Sequence, residues 1–200
     1  SMQPKKINLY NQMAQVLVGY DVTGAIHQFD EDGDLSGGTK VQECIFVNFT
    51  RLLSKDEIKK GTFSLELGVS GAYGVTSGDP FEGNRIKLAD TNAATTFFSN
   101  SPAGEYAVLY GTNTAGQQLK DAHTSTSIKA GLLYYQAGVA VITGSVFGTL
   151  LSSSVNMNFA DEKINAILTG SEISSSCDNI RHRIYDLSFN NTTELNSSII

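Results

Sequence analysis

Apolar and polar residues alternate most cleanly over residues 62–69, where Phe63, Leu65, Leu67 and Val69 alternate with Thr62, Ser64, Glu66 and Gly68. A period of two predicts a strand with one apolar and one polar face, part of a sheet with one wet side. Residues 42–49 (QECIFVNF) differ in carrying apolar groups on both faces, with Ile45, Val47 and Phe49 on one and Cys44 and Phe46 on the other. Two-sided apolarity predicts a central strand. Between these two, Ser54 and Glu57 form a capping box and Gly61 is a natural stop, so a single helical turn is expected to link them.

Further strands are expected at residues 105–110, where Tyr106, Val108 and Tyr110 oppose Ala107 and Leu109, and at 85–89, with Ile86 and Leu88 turned inward. Residues 131–136 and 139–146 flank Ala137 and Gly138, which predicts an antiparallel hairpin. An early hairpin is expected within 16–26, around Asp21 to Gly24. Residues 70–84 and 90–104 are long connections rich in Gly, Ser, Thr, Asn and Pro, which suit a sandwich better than a barrel with short turns.

Beyond Gly148 the period lengthens. A short helix is expected from an Asn158 to Asp161 cap, with Phe159, Ile164, Ile167 and Leu168 at helical spacing and Gly170 ending it. Thr169 and Glu172 form a second capping box, and Ile173, Cys177, Ile180, Ile184 and Leu187 follow as the stripe of an amphipathic helix laid on the sheet. Residues 188–195 return to strand character. The expected fold is therefore mainly β, an antiparallel β-sandwich-like domain with one or two short helices near the C-terminal end, and α+β as the fallback. Residues 1–40 read as an N-terminal hairpin or arm, and 41–200 as a single β-rich domain. The closing residues, LNSSII, end on two isoleucines without a polar tail, which suggests a piece of a longer polypeptide.

Composition narrows the function classes. Hydrophobic residues make up 40% of the 200, enough for a core, so the chain is not of the disordered class. Fourteen Lys and Arg against 20 Asp and Glu give a net charge of −6, which argues against a nucleic-acid surface. Cys44 and Cys177 are too few for a disulfide framework and lack metal-ligand spacing. With neither a signal peptide nor an apolar run of membrane length in the sequence, the reading is a soluble protein made in a cytoplasm.

Chemical motifs are sparse. Asp30, Asp32 and Asp34 alternate on an acidic turn, as in Ca²⁺ loops, but an EF-hand counted from Asp30 requires Gly at the sixth place and Glu at the twelfth, where Leu35 and Val41 stand. The plain alternative is a solvated turn closing a hairpin, and no metal is assigned. Ser70 is not in a nucleophile elbow, His27, His123 and His182 lack paired ligands, and the glycines at 37 and 38 are in the wrong order for a phosphate loop. No catalytic residue and no cofactor is expected. Tyr106 and Tyr110 on a strand, with Tyr73 in a Gly-rich loop, offer a possible sugar-stacking platform, against the alternative that such tyrosines fill a core.

Several phrases together carry a resemblance: QECIFVNFTRLLSKDEIKKG at 42–61, SPAGEY at 101–106, GLLYYQAGVAVIT at 131–143 and LSFNNTTELN at 187–196. From about Gln42 onward the chain resembles the uncharacterised virion structural proteins of marine T4-like myoviruses, notably cyanophages. The resemblance implies a protein made in the host cytoplasm and located in the virion, working through contacts with other virion proteins and copies of itself, with no nucleic acid and no membrane. It assigns no functional residues. Phe81, Phe97 and Phe98, rings in polar loops, are the expected contacts between subunits. The alternative is a receptor- or carbohydrate-binding module on the particle facing a host-surface glycan, and a more distant one is an envelope hydrolase.

Overall fold

The computed structural model describes residues 2–53, 57–69, 85–113, 115–120, 125–147 and 173–192. The first element is helix α1, Met2–Leu17. Tyr10, Ala14 and Leu17 recur at helical spacing and turn inward, and Gly19 at φ 79° ends the helix by donating its N–H to the Ala14 carbonyl at 2.9 Å. An arm or hairpin was expected over these residues. Residues 20–26 form a single antiparallel bridge between Tyr20 and Ile26, and a second hairpin follows over 29–41.

Short strands β1 (Phe29–Asp30) and β2 (Lys40–Val41) pair with each other. The main strands are β3 (Cys44–Asn48), β5 (Ser64–Gly68), β6 (Arg85–Ala89), β7 (Phe98–Ser101), β8 (Gly104–Thr112), β9 (Lys129–Tyr134), β10 (Val139–Thr143) and β11 (Ile184–Ser188). They form one eight-stranded antiparallel sheet in the order β11-β5-β6-β8-β9-β10-β3, with β7 also on β8. Two-residue strands β4 (Glu57–Ile58) and β12 (Asn191–Thr192) pair separately. The mainly β, antiparallel class read from the alternation holds, and so does a helix near the C-terminal end, α2 (Ile173–Arg183).

Both faces of the sheet are covered over β8, β9, β10 and β3. On the inner face Ala107, Leu109, Leu133, Ala140 and Ile142 join Leu65, Leu67, Ile86 and Leu88 in one apolar cluster. On the outer face Tyr106, Val108, Leu132, Tyr134, Val139 and Val141 form a second cluster beneath α1 and Phe29. α1 does not extend its cover to β5 and β6, whose outer positions Glu66 and Arg85 form an ion pair at 3.3 Å. The sheet also curls. Phe49, just beyond β3, stacks on Phe63 ahead of β5 at 5.5 Å and lies 5.6 Å from Phe189 beyond β11, so residues flanking opposite edges of the sheet meet across the inner cluster.

Three expectations are corrected. Among the described residues β3 is an edge strand, not a central one: its faces are both apolar because Ile45 and Val47 pack on the inner cluster while Cys44 and Phe46 pack on the outer. The linking turn is a 3₁₀ helix at Thr50–Leu52 instead of one capped at Ser54, and Glu57 is in β4; 54–56 lie outside the described residues. The stripe from Ile173 to Leu187 is split, because α2 ends at Arg183 and Ile184 and Leu187 belong to β11, while Cys177 is exposed. A spacing of three or four does not by itself distinguish a helix running on from a helix that turns into a bulged strand. The expected helix at 158–170 and the whole of loop 70–84 lie outside the described residues.

Candidate functional site

The acidic turn is the densest group of ionisable side chains among the described residues. β1 and β2 present Asp30 and Lys40 as cross-strand partners, and the Lys40 ammonium binds the Asp30 carboxylate, which is fully buried. Between them the chain makes successive Asx turns: the N–H of Asp34 donates to Asp32 Oδ1 at 3.3 Å and that of Ser36 to Asp34 Oδ1 at 2.7 Å. Leu35 adopts φ 63°, the left-handed conformation that a Ca²⁺ loop assigns to Gly at the sixth place. Oxygens of Asp30, Asp32 and Asp34 come within 4.8 Å of one another.

Charge decides what this turn can do. Burial alone would raise the Asp30 carboxyl, but the Lys40 hydrogen bond and charge outweigh it and hold Asp30 below the ordinary carboxylate value. Asp32 moves the other way, raised by partial burial and by its hydrogen-bonded neighbour Asp30. The three carboxylates are the set that could hold a divalent cation, and a cation would have to share Asp30 with an ammonium already in place. Val41 leaves the twelfth place of an EF-hand without an oxygen ligand, as the spacing predicts.

The turn is anchored on the outer face of the sheet. The Tyr106 hydroxyl donates to the Gly33 carbonyl at 2.7 Å and lies 2.8 Å from Asn100 Oδ1, and the Phe98 ring lies so near Gly33 that a Cβ there would meet it at 2.8 Å. Phe98, Tyr106 and Tyr134 stack in series at centroid distances of 5.2 and 5.0 Å. Burial drives the Tyr106 hydroxyl up to about 12. Beside the turn a polar cleft of about 250 Å³ is lined by Glu31, Lys40, Glu43, Lys129, Thr143 and Ser145. Its mixed charges and lack of a nucleophile hydrogen-bonded to a base give it no acyl- or phosphoryl-transfer geometry among the described residues.

The remaining sequence candidates fare differently. Tyr106 is wholly buried and presents no ring to a sugar, Tyr110 is half-buried against the outer cluster, and Tyr73 lies outside the described residues. Phe98 is half-buried, its ring stacked on Tyr106. Phe97 stays 42% exposed, with the Lys60 ammonium 4.7 Å from its ring centre, and Phe81 lies outside the described residues.

No protein family, curated protein or solved structure matches this chain.

A second buried carboxylate escaped the sequence reading. Asp90, 1% exposed, accepts the N–H of Gly61 at 2.8 Å, the N–H of Phe63 at 3.0 Å and the Tyr135 hydroxyl at 2.7 Å. Burial lifts its carboxyl above the ordinary value although all three bonds pull it down. Its one sequence signal is an Asp directly after an alternating strand. Among the described residues no helix is long and apolar enough to cross a membrane.

Proposed function

We propose that the protein is a structural, non-enzymatic component of a tailed-phage particle, working through contacts with copies of itself and with other virion proteins. The observation that supports this reading is the apolar character of its outer surface around α1. Leu9 and Val16, seven residues apart, share the solvent side of the helix at 43% and 63% exposure, and Tyr20 at 58% and Val22 at 104% lie just beyond its end. Large apolar groups set outward on the same helix whose other side caps the core suit a subunit covered by neighbours. The resemblance to virion structural proteins of T4-like myoviruses points the same way. The burial of Tyr106 removes one of the rings on which the glycan-binding alternative rests.

Quantitative peptide mass spectrometry on purified virions tests the proposal. Peptides of this chain at a fixed ratio to capsid protein are the expected result, and their absence from the particle overturns it.

A further inference from the structure

The two edges of the main sheet are built differently. β11 is interrupted by a bulge between Ile184 and Asp186 and carries a charge at Asp186, both devices that discourage a further strand from pairing. β3, at the other edge, has none. Its sequence is CIFVN, without a charged residue or a proline, its register with β10 runs unbroken from Cys44 to Asn48, and no described strand lies on its far side.

The hydrogen bonds show which backbone groups are left over. Glu43 accepts the N–H of Gly144 at 2.8 Å and Phe49 donates to the Gly138 carbonyl at 3.0 Å, so the odd-numbered residues of this stretch face β10. By the alternation of an antiparallel ladder, the N–H and C=O groups of Cys44, Phe46 and Asn48 point away from the sheet.

We propose that this edge pairs antiparallel, across a two-fold axis, with β3 of a second copy of the chain. Centred on Phe46, the pairing sets Phe46 against its own copy and Cys44 against Asn48, which satisfies all three outward residues in each chain with about six backbone hydrogen bonds. The same register sets Ile45 against Val47 on the inner face, apolar against apolar. Charge selects a second copy over an arbitrary strand. Glu43 and Arg51 are exposed, of opposite sign, and without an ion pair to any described residue, and they flank the strand at opposite ends. An antiparallel copy brings each Glu43 to the Arg51 end of its partner, so two complementary contacts form. Leu52, 60% exposed beside Arg51, extends the apolar rim.

The inference rests on reading the chain as an assembling subunit and gives that subunit its first contact. Sedimentation velocity over a concentration series, with residue-resolved hydrogen exchange, tests it. The expected result is a monomer–dimer equilibrium in which the amides of Cys44, Phe46 and Asn48 gain protection as dimer forms, while those of Ile45 and Val47 are protected throughout. Glu43→Arg and Arg51→Glu alone each weaken the dimer roughly tenfold, and the double swap restores it. A monomer at every concentration, a dimer that leaves the three amides unprotected, or a double swap no tighter than its single variants overturns the proposal. A monomer from a protein found at fixed ratio in virions removes only this contact. A dimer from a protein absent from virions removes only the phage reading.

Discussion

Asp90 bonds three donors from two separate stretches of chain, the N–H groups of Gly61 and Phe63 and the Tyr135 hydroxyl, and all lose their acceptor together if the carboxylate is removed. Asp90→Ala is expected to cost about 3 kcal/mol or more in urea unfolding, since each buried donor left bare carries a penalty of about 1 kcal/mol or above. Lys40 has the opposite logic. Its ammonium keeps buried Asp30 ionised and holds that carboxyl below its ordinary value. A lowered native value means the pair's contribution is complete above the ordinary carboxylate range and disappears as pH falls through the lowered value. Lys40→Ala should therefore cost about 2 kcal/mol at neutral pH, a figure reduced for the partial exposure of Lys40. Unfolding curves collected down the acid range should show the gap between variant and parent closing. Neither carboxylate could be singled out by spacing, because both roles depend on partners brought in by the fold.

At the scale of elements, the alternating segments were legible because β5, β6, β8, β9 and β10 each have at least one face in continuous apolar contact, whereas β7, FSNS, has none and was read as loop. β6 was read with the bounds it adopts, and Ile86 and Leu88 are both fully buried. α1 was missed because its inward stripe of Tyr10, Ala14 and Leu17 is diluted by apolar Leu9 and Val16 on the solvent side, which blurs the helical period. β3 was misplaced for a related reason. Sequence registers how many faces are covered, whereas position within a sheet depends on hydrogen bonds that leave no mark on composition. Gly131 illustrates a constraint of the second kind: a Cβ there would lie 2.1 Å from the Val141 carbonyl oxygen on the neighbouring strand. Gly131→Ala should force β9 and β10 apart at a cost of about 2–3 kcal/mol, read as a lowered denaturation midpoint with the slope unchanged.

For the whole molecule, the feature least visible in the sequence is the seam where Phe49, Phe63 and Phe189 meet, since Phe189 is far along the chain from the other two and Phe49 and Phe189 flank opposite edges of the sheet. Phe49, at 3% exposure, is the ring that carries the seam from the β3 side. Phe49→Ala is expected to lower stability by about 3–5 kcal/mol. Amide exchange should rise in β3 and β11 together, although no hydrogen bond joins them, and a rise confined to β3 would show that the curled sheet does not close through these rings. The candidate site was legible only as composition: the run of alternating aspartates was plain, while Lys40 on Asp30 and Tyr106 on Gly33 required the fold to bring them there.

The order of strands also has a consequence for synthesis. β5 lies second in the sheet, yet its outer neighbour β11 is among the last described segments of the chain, and β3 must wait for β10. A nascent chain leaving the ribosome would therefore carry β3, β5 and β6 with open flanks while more than half of the sequence was still to be translated. Closure of long-range pairs of this kind is slow. When many copies are made at once, the interval before β11 emerges is when the chain most depends on a chaperone, and translation speed there would set the yield of folded protein.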